Sequence, residues 1–179
     1  MPQASAEREG GVDAVIERLP STGEFRDAMR NFVGNVSVLT AGKGDDRSGL
    51  VVTSAISLSA DPPLLLACVN RSSSTWPLIE RYGCFGWSVL GAGHQAVAER
   101  FTGFGGAKGP ERYAGASWVT ARTGASLLED AVVGIDCTVE EMIDRATHSI
   151  IIGRVQQIRT RPGQGAMIYW NGAFRGLAD

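Results

Sequence analysis

Two stretches of small hydroxyl residues are the parts of this 179-residue chain best suited to chemistry. The first is Val52-Thr53-Ser54-Ala55-Ile56-Ser57-Leu58-Ser59; the second is Asn70-Arg71-Ser72-Ser73-Ser74-Thr75. Small hydroxyl residues let a flat ligand approach the backbone, whose N–H groups can donate to ring carbonyls and nitrogens. The second stretch lies just before a predicted helix, where free N–H groups and the helix dipole favour an anion, and Arg71 adds a charge. Together they suit a ligand with a planar ring and a phosphate. The same residues equally suit a polar-faced edge strand followed by an N-cap.

Other catalytic constellations are missing from the sequence. His94 and His148 are the two histidines, which leaves little material for a metal centre or a Ser-His-Asp triad. His94 opens a helix among polar neighbours and reads as a surface residue. Cys68, Cys84 and Cys137 are odd in number and lack C-x-x-C spacing. Cys68 and Cys137 sit in apolar runs, where a thiol behaves as a small buried hydrophobe, so neither a disulfide framework nor a metal site is expected. Gly103-Phe104-Gly105-Gly106 lacks G-x-G-x-x-G spacing and reads as a flexible connection. Neither a P-loop nor a G-x-S-x-G elbow occurs.

Composition narrows the class further. A net charge of −2 offers no basic excess to neutralise a nucleic acid, so DNA or RNA binding is not expected. Hydrophobic residues make up 44%, which excludes wholesale disorder and suits one domain with its own core. Residues 1–11 are polar and lack the apolar centre of a signal peptide, and no stretch approaches the roughly 20 apolar residues of a membrane span. A soluble cytoplasmic protein with no membrane partner is expected.

The elements that must position the hydroxyl stretches follow from periodicity. Residues 1–20 read as a flexible leader, with a short helix over Val12 to Leu19, and residues 21–179 as one domain. Ser21-Thr22-Gly23-Glu24 has capping-box spacing, and Phe25, Met29, Phe32 and Val33 then fall on one helical face expected to pack inward. Strands are predicted over Val36 to Ala41 and Gly49 to Ser59, with a polar loop between them at 42–47. Leu64 to Val69 is continuously apolar, which predicts burial on both faces. A helix follows from Trp76, with Pro77 in its first turn, then a strand from Phe85 to Leu90 and a helix from Gln95 to Phe101. Alternation at Val133, Ile135, Cys137 and Val139, then His148 to Ile158 and Ala166 to Trp170, completes the set. Glu140 to Asp144 reads as a solvated strand end. Trp76, Trp87, Trp118 and Trp170 read as core or contact residues more than as ring stackers. Many short strands without regular βαβ alternation make the fold mainly β with a few helices, best fitted by a closed or partly closed antiparallel barrel.

The run Gly49-Leu50-Val51-Val52-Thr53-Ser54-Ala55-Ile56-Ser57-Leu58-Ser59-Ala60-Asp61-Pro62-Pro63 resembles the signature of the flavin reductase-like family. The likeness continues through Phe25-Arg26-Asp27-Ala28, Val69-Asn70-Arg71-Ser72-Ser73-Ser74, Arg100-Phe101, Glu111-Arg112-Tyr113, Thr123-Gly124-Ala125, Asp136-Cys137-Thr138, Thr147-His148 and Ile168-Tyr169. The resemblance implies an FMN-binding split barrel of Greek-key type that forms a homodimer, with flavin near the subunit interface. It implies that NADH or NADPH reduces free FMN or FAD, and that reduced flavin passes to a separate oxygenase. By the same likeness Val52, Thr53, Ser54, Ala55 and Ser57 hold the ring edge, and Asn70, Arg71, Ser72 and Ser74 hold the phosphate. Arg100 and Phe101 lie near the flavin tail, and His148 faces the nicotinamide side as the catalytic residue. The chain departs at Val51, where many relatives carry Thr, and at Ala146, where they often carry Gly. A reductase of another acceptor, such as a corrinoid or metal complex, and a non-catalytic flavin-binding barrel are alternatives on the same scaffold.

Overall fold

The computed structural model describes residues 18–177, without the side chain of Phe104. The expected leader, with its helix from Val12, lies outside the described residues except for its last three positions. Ser21 caps α1 (Thr22–Met29): its hydroxyl accepts from the Glu24 N–H at 3.2 Å, and the Glu24 carboxylate accepts from the Ser21 N–H at 2.8 Å. Arg18 pairs with the same carboxylate and, with the Ser21 bonds, lowers its pKa to about 2. The helix ends at Met29, and its apolar side is left exposed by the described residues: Phe25 is 58%, Phe32 68% and Val33 61% exposed. The expectation that this face packs inward is corrected: its apolar residues border an open cavity instead of joining either core cluster.

Twelve strands and two further helices follow among the described residues: β1 (Gly34–Asn35), β2 (Ser37–Lys43), β3 (Asp46–Val52), β4 (Ala55–Ala60), β5 (Pro63–Asn70), α2 (Trp76–Tyr82), β6 (Cys84–Val89), α3 (Gln95–Phe101), β7 (Trp118–Thr120), β8 (Ser126–Leu128), β9 (Val133–Arg145), β10 (His148–Thr160), β11 (Ala166–Trp170) and β12 (Ala173–Leu177). The main sheet is antiparallel throughout, in the order β3-β2-β6-β9-β10-β5-β4. Leu39, Val52, Ala55, Val69, Phe85, Cys137 and Ile151, one from each of its strands, meet in a single buried cluster. The sheet therefore curls around its own core. Its edge strands β3 and β4 do not pair with each other, so the barrel is split, as the family resemblance implied. A second cluster joins Val36, Leu90, Phe101, Tyr113, Leu128 and Met167 beneath the smaller β1-β11-β12 sheet.

Several local expectations change for identifiable reasons. The run Gly49 to Ser59 is two strands, not one: Thr53 and Ser54 leave one edge of the sheet so that β4 can join the other. The crossing is pinned to β5, where the Cys68 N–H donates to the Ser54 carbonyl at 3.3 Å and the Ser54 hydroxyl donates to the Cys68 carbonyl at 3.2 Å. The polar loop at 42–47 is mostly hairpin, with Gly44 at φ +55° in its turn. β5 buries Leu65, Ala67 and Val69 but leaves Leu64, Leu66 and Cys68 half-buried, so one face of this apolar strand lacks a full cover. The Gly103–Gly109 region holds two 3-10 turns, Phe104–Gly106 and Gly109–Tyr113. His94 is buried, not at the surface: its Nδ1 accepts from the Gly91 N–H at 2.9 Å, and its Nε2 lies 3.4 Å from Asp130. No described helix is long and apolar enough to cross a membrane.

Candidate functional site

The split edge of the barrel places the two hydroxyl stretches side by side. A cavity of about 510 Å³ lies between β3, the turn after β5, the end of α3 and the small sheet; Val51, Thr53, Ser72, Ser74, Phe101 and Arg112 line it. A larger one of about 970 Å³ is lined by Thr53, Ser54, Cys68, His148 and the apolar side of α1. Thr53 and Tyr169 border both, so the two spaces share a wall. A third, open groove of about 460 Å³ runs past Asn70, Arg71, Trp76 and Thr147 and meets the first cavity at Ser72.

The turn after β5 is tied by its own side chains. Asn70 Oδ1 accepts from the Ser72 N–H at 2.9 Å and from its hydroxyl at 2.8 Å, and Ser73 Oγ accepts from the Trp76 N–H at 3.2 Å. Thr75 stands at the N-cap of α2 but makes no capping bond. Its hydroxyl donates instead to Ser48 Oγ at 3.3 Å, and Ser48 Oγ lies 3.0 Å from Ser74 Oγ. Ser48 itself is buried on β3, so the hydroxyl turn rests on a polar contact from the core.

The expected site residues are sorted by this geometry. Thr53 and Ser54 are exposed in the crossing between β3 and β4 and face the cavities; Val52 and Ala55 point into the core and can offer only backbone groups. Ser57 lines none of these spaces. Asn70, Ser72 and Ser74 lie together on the turn, and Phe101 forms a buried wall of the first cavity. Arg71 is directed to the outer groove: its Nη2 lies 3.3 Å from Asp144, and its guanidinium carbon sits 5.8 Å from the Trp76 ring centre. Ser149 completes that tie, donating to Asp144 at 2.6 Å and accepting from Trp76 Nε1 at 2.8 Å. The Glu140 to Asp144 segment is thus part of a strand with partners, Glu140 itself pairing with Arg154 at 2.7 Å. Arg100 lines a small hollow behind the site, with Arg112 and Trp118. His148 begins β10 opposite Asn70, exposed, with Thr147 Oγ1 2.9 Å from its Nδ1. Ala146, in the hairpin before it, has φ +48°, the left-handed region where glycine is favoured.

Cys68 departs from its expected burial and borders the His148 cavity, whereas Cys137 is buried in the core and its pKa is pushed up to about 12 by that burial. Trp87 is core, Trp118 packs 5.2 Å from Phe101, and Trp170 stays 41% exposed. Arg112 is the cavity-lining cation that reading the sequence for sites missed. It lies in the second 3-10 turn, where its Nη1 donates to the carbonyls of Gly49 and, at 3.3 Å, Phe101, and its Nε donates to Ala107 at 3.2 Å. Burial lowers its pKa, and no carboxylate pairs with it among the described residues. The Glu111-Arg112-Tyr113 motif was the available signal, but a lone Arg in a loop carries no sign that it will face a cavity. Collected here are backbone edges for a flat ring, hydroxyls and a cation for an anion, and a histidine on the adjoining side.

Comparison with known proteins agrees with that inventory. Residues 29–178 match the model of the flavin reductase like domain. The chain is 33% identical over 177 residues to the FMN reductase (NADH) RutF of Agrobacterium fabrum, covering 99% of this chain and 100% of that one. It is 35% identical over 156 residues to RutF 2 of Rhizobium rhizogenes, covering 86% and 88%. Among solved structures, BorF, the flavin reductase component of a bacterial two-component tryptophan halogenase, superposes with a TM-score of 0.81 at 32% identity, covering 89% of this chain and 99% of that one. The NADH:FAD oxidoreductase SgcE6 of Streptomyces globisporus, solved with NAD and FAD fragments, gives 0.79 at 27% identity, covering 87% and 92%. From the hydroxyl-lined split edge to the near full-length matches, this chain belongs to the flavin reductase-like domain family.

Proposed function

We propose that the protein is an NADH-dependent flavin reductase that binds FMN or FAD in the cavity beside Ser72 to Ser74 and releases the reduced flavin to a separate flavin-dependent oxygenase. The observation that carries this reading is the shared wall of Thr53 and Tyr169 between the hydroxyl-lined cavity and the one bordered by His148. It lets two flat rings meet along one edge of the barrel. The residues fit a flavin: the Thr53–Ser54 backbone can meet the ring edge, and Ser72, Ser74 and Arg112 can meet a phosphate.

The bound flavin and nicotinamide supply the hydride transfer between nicotinamide C4 and flavin N5. The chain contributes position. Thr53 and Ser54 fix the ring edge, the Asn70 turn holds the tail, and Phe101 closes the floor against water. His148 orients the nicotinamide carboxamide, its own ring placed by the Thr147 hydroxyl. A homodimer completes the site. The uncovered α1 side, with Phe25, Met29 and Phe32, lines the His148 cavity, and the half-buried face around Leu66 offers a second copy apolar area. Three free thiols suit a reducing cytoplasm.

The test is loss of nicotinamide absorbance with purified protein, NADH or NADPH, and added FMN or FAD in turn. Fast oxidation that depends on added flavin supports the reductase. Stimulation by a corrinoid or metal acceptor without oxygen would favour the acceptor reductase, and flavin binding without turnover would leave only a binding barrel. Sedimentation of Phe32→Asp beside the parent protein checks the dimer, with dissociation expected.

A further inference from the structure

Arg112 and Ser74 reach the flavin cavity from segments far apart in sequence, yet they are fastened to adjacent residues of β3, Arg112 to Gly49 and Ser74 to Ser48. The Arg112 guanidinium donates to the Gly49 carbonyl, and the neighbouring Tyr113 hydroxyl donates to the Ser48 carbonyl at 2.7 Å. On the side-chain side, Ser48 Oγ accepts from Thr75 at 3.3 Å and lies 3.0 Å from Ser74 Oγ. Ser48 is 2% exposed and Tyr113 4%, so water does not compete for these bonds. Arg112 Nη2 makes no hydrogen bond among the described residues, although the side chain lines the cavity and is partly buried. A half-buried guanidinium with a free edge and no carboxylate partner is an unbalanced charge, which an anion in the cavity would compensate.

We infer that Arg112, not Arg71, supplies the cation for the flavin phosphate, and that Ser48 and Tyr113 are positioning residues holding that cation and the Ser74 hydroxyl at one spacing. Arg71 is already paired with Asp144 and stands over Trp76 in the outer groove. The hydroxyl chain also allows a proton order. Thr75 donates to Ser48 and, with Ser48 donating in turn to Ser74, the Ser74 proton is left to donate to a phosphate oxygen. Removing the Ser48 hydroxyl frees Ser74 to turn its proton elsewhere and unfastens one side of the turn.

This inference rests on the phosphate lying at Ser72 to Ser74, and its test separates the two. KM and kcat are measured with FMN and with riboflavin, which has the same ring and no phosphate, for the parent protein, Ser48→Ala, Arg112→Lys and Arg112→Gln. The parent is expected to prefer FMN. Ser48→Ala and Arg112→Gln should each reduce that preference about tenfold or more, the usual loss when a charged hydrogen bond is removed, the FMN constants falling further than the riboflavin constants. Arg112→Lys should retain part of the preference, since it keeps the charge and loses the fork. A mere loss of fold would move riboflavin and FMN together, so riboflavin turnover reports folding in every variant. If the parent does not distinguish FMN from riboflavin, the phosphate placement itself is wrong and the relay falls with it. If the parent does, and both Ser48→Ala and Arg112→Gln keep its ratio, the relay and the Arg112 assignment are overturned while the cavity stands.

Discussion

Replacing Gly49 by Ala tests whether the cavity wall is set by packing behind it. A Cβ at Gly49 would lie 2.4 Å from Phe101 Cε1 and 2.7 Å from the Leu39 carbonyl oxygen. Ordinary carbon contact begins about 1 Å farther out, so the Phe101 ring or the β3 backbone must shift. The ring has little room: it is 1% exposed and held between Tyr113 and Trp118, each with its ring centre 5.2 Å away. The remaining free direction is the cavity that Phe101 already lines. Overpacking of this kind costs about 1–3 kcal/mol, and the second clash with a backbone oxygen puts the cost near the upper end. For a domain of this size that lowers Tm by roughly 6–12 °C. Thermal unfolding followed by circular dichroism reads the loss, and steady-state kinetics should show the KM for FMN and for riboflavin rising together. Phe101→Leu in the Gly49→Ala background removes the clashing ring edge and should recover about half the Tm loss, a coupling expected of residues in contact. A Gly49→Ala protein with parental Tm and KM, or additive effects of the two changes, would refute the claim that Phe101 is pinned by the β3 backbone.

Three further outcomes are expected. His148→Ala should slow flavin reduction in stopped flow by tenfold or more while leaving flavin affinity within about twofold, consistent with general positioning effects at such sites; unchanged turnover would remove His148 from the mechanism. Ala146→Gly should raise stability by up to about 1 kcal/mol, because it relieves the left-handed φ of +48°, and urea denaturation would show the gain as a higher midpoint. Alkaline titration of stability should show a loss that begins above the ordinary thiol value of 9.0, because burial raises the folded Cys137 pKa to about 12. The folded state then holds a proton that the unfolded state has released, so stability is full below about pH 9 and falls as pH rises towards 12. Tyr113, also pushed upward by burial, adds to the same trend, and Cys137→Ala should make the decline shallower.

Much of the scaffold was legible because its signals are local. The Ser21–Glu24 box, the Pro77 helix, the alternation from Val133 to Val139 and the hydroxyl stretches around Ser54 and Ser72 depend on neighbours a few residues apart. The short strands β1, β7, β8 and β12 carry too few residues for a period to register, and were not foreseen. Gly49 to Ser59 reads as one strand because strand propensity cannot register that a barrel edge is reached at Thr53. The α1 face misled for a related reason: periodicity marks which residues share a side, and says nothing about whether the same chain covers it.

The sequence by itself determined the element types, the mainly β class, the family likeness and the two hydroxyl segments of the site. The tertiary structure alone decided which cation lines the cavity beside them. Arg71 is adjacent to the hydroxyl turn in sequence, but Asp144 and Trp76, from elsewhere in the fold, draw it to the outer groove. Arg112 is 38 residues beyond Ser74, and the carbonyls of Gly49 and Phe101 bring it to the cavity. A guanidinium goes where its several donors find acceptors, and those acceptors are set by the folded backbone.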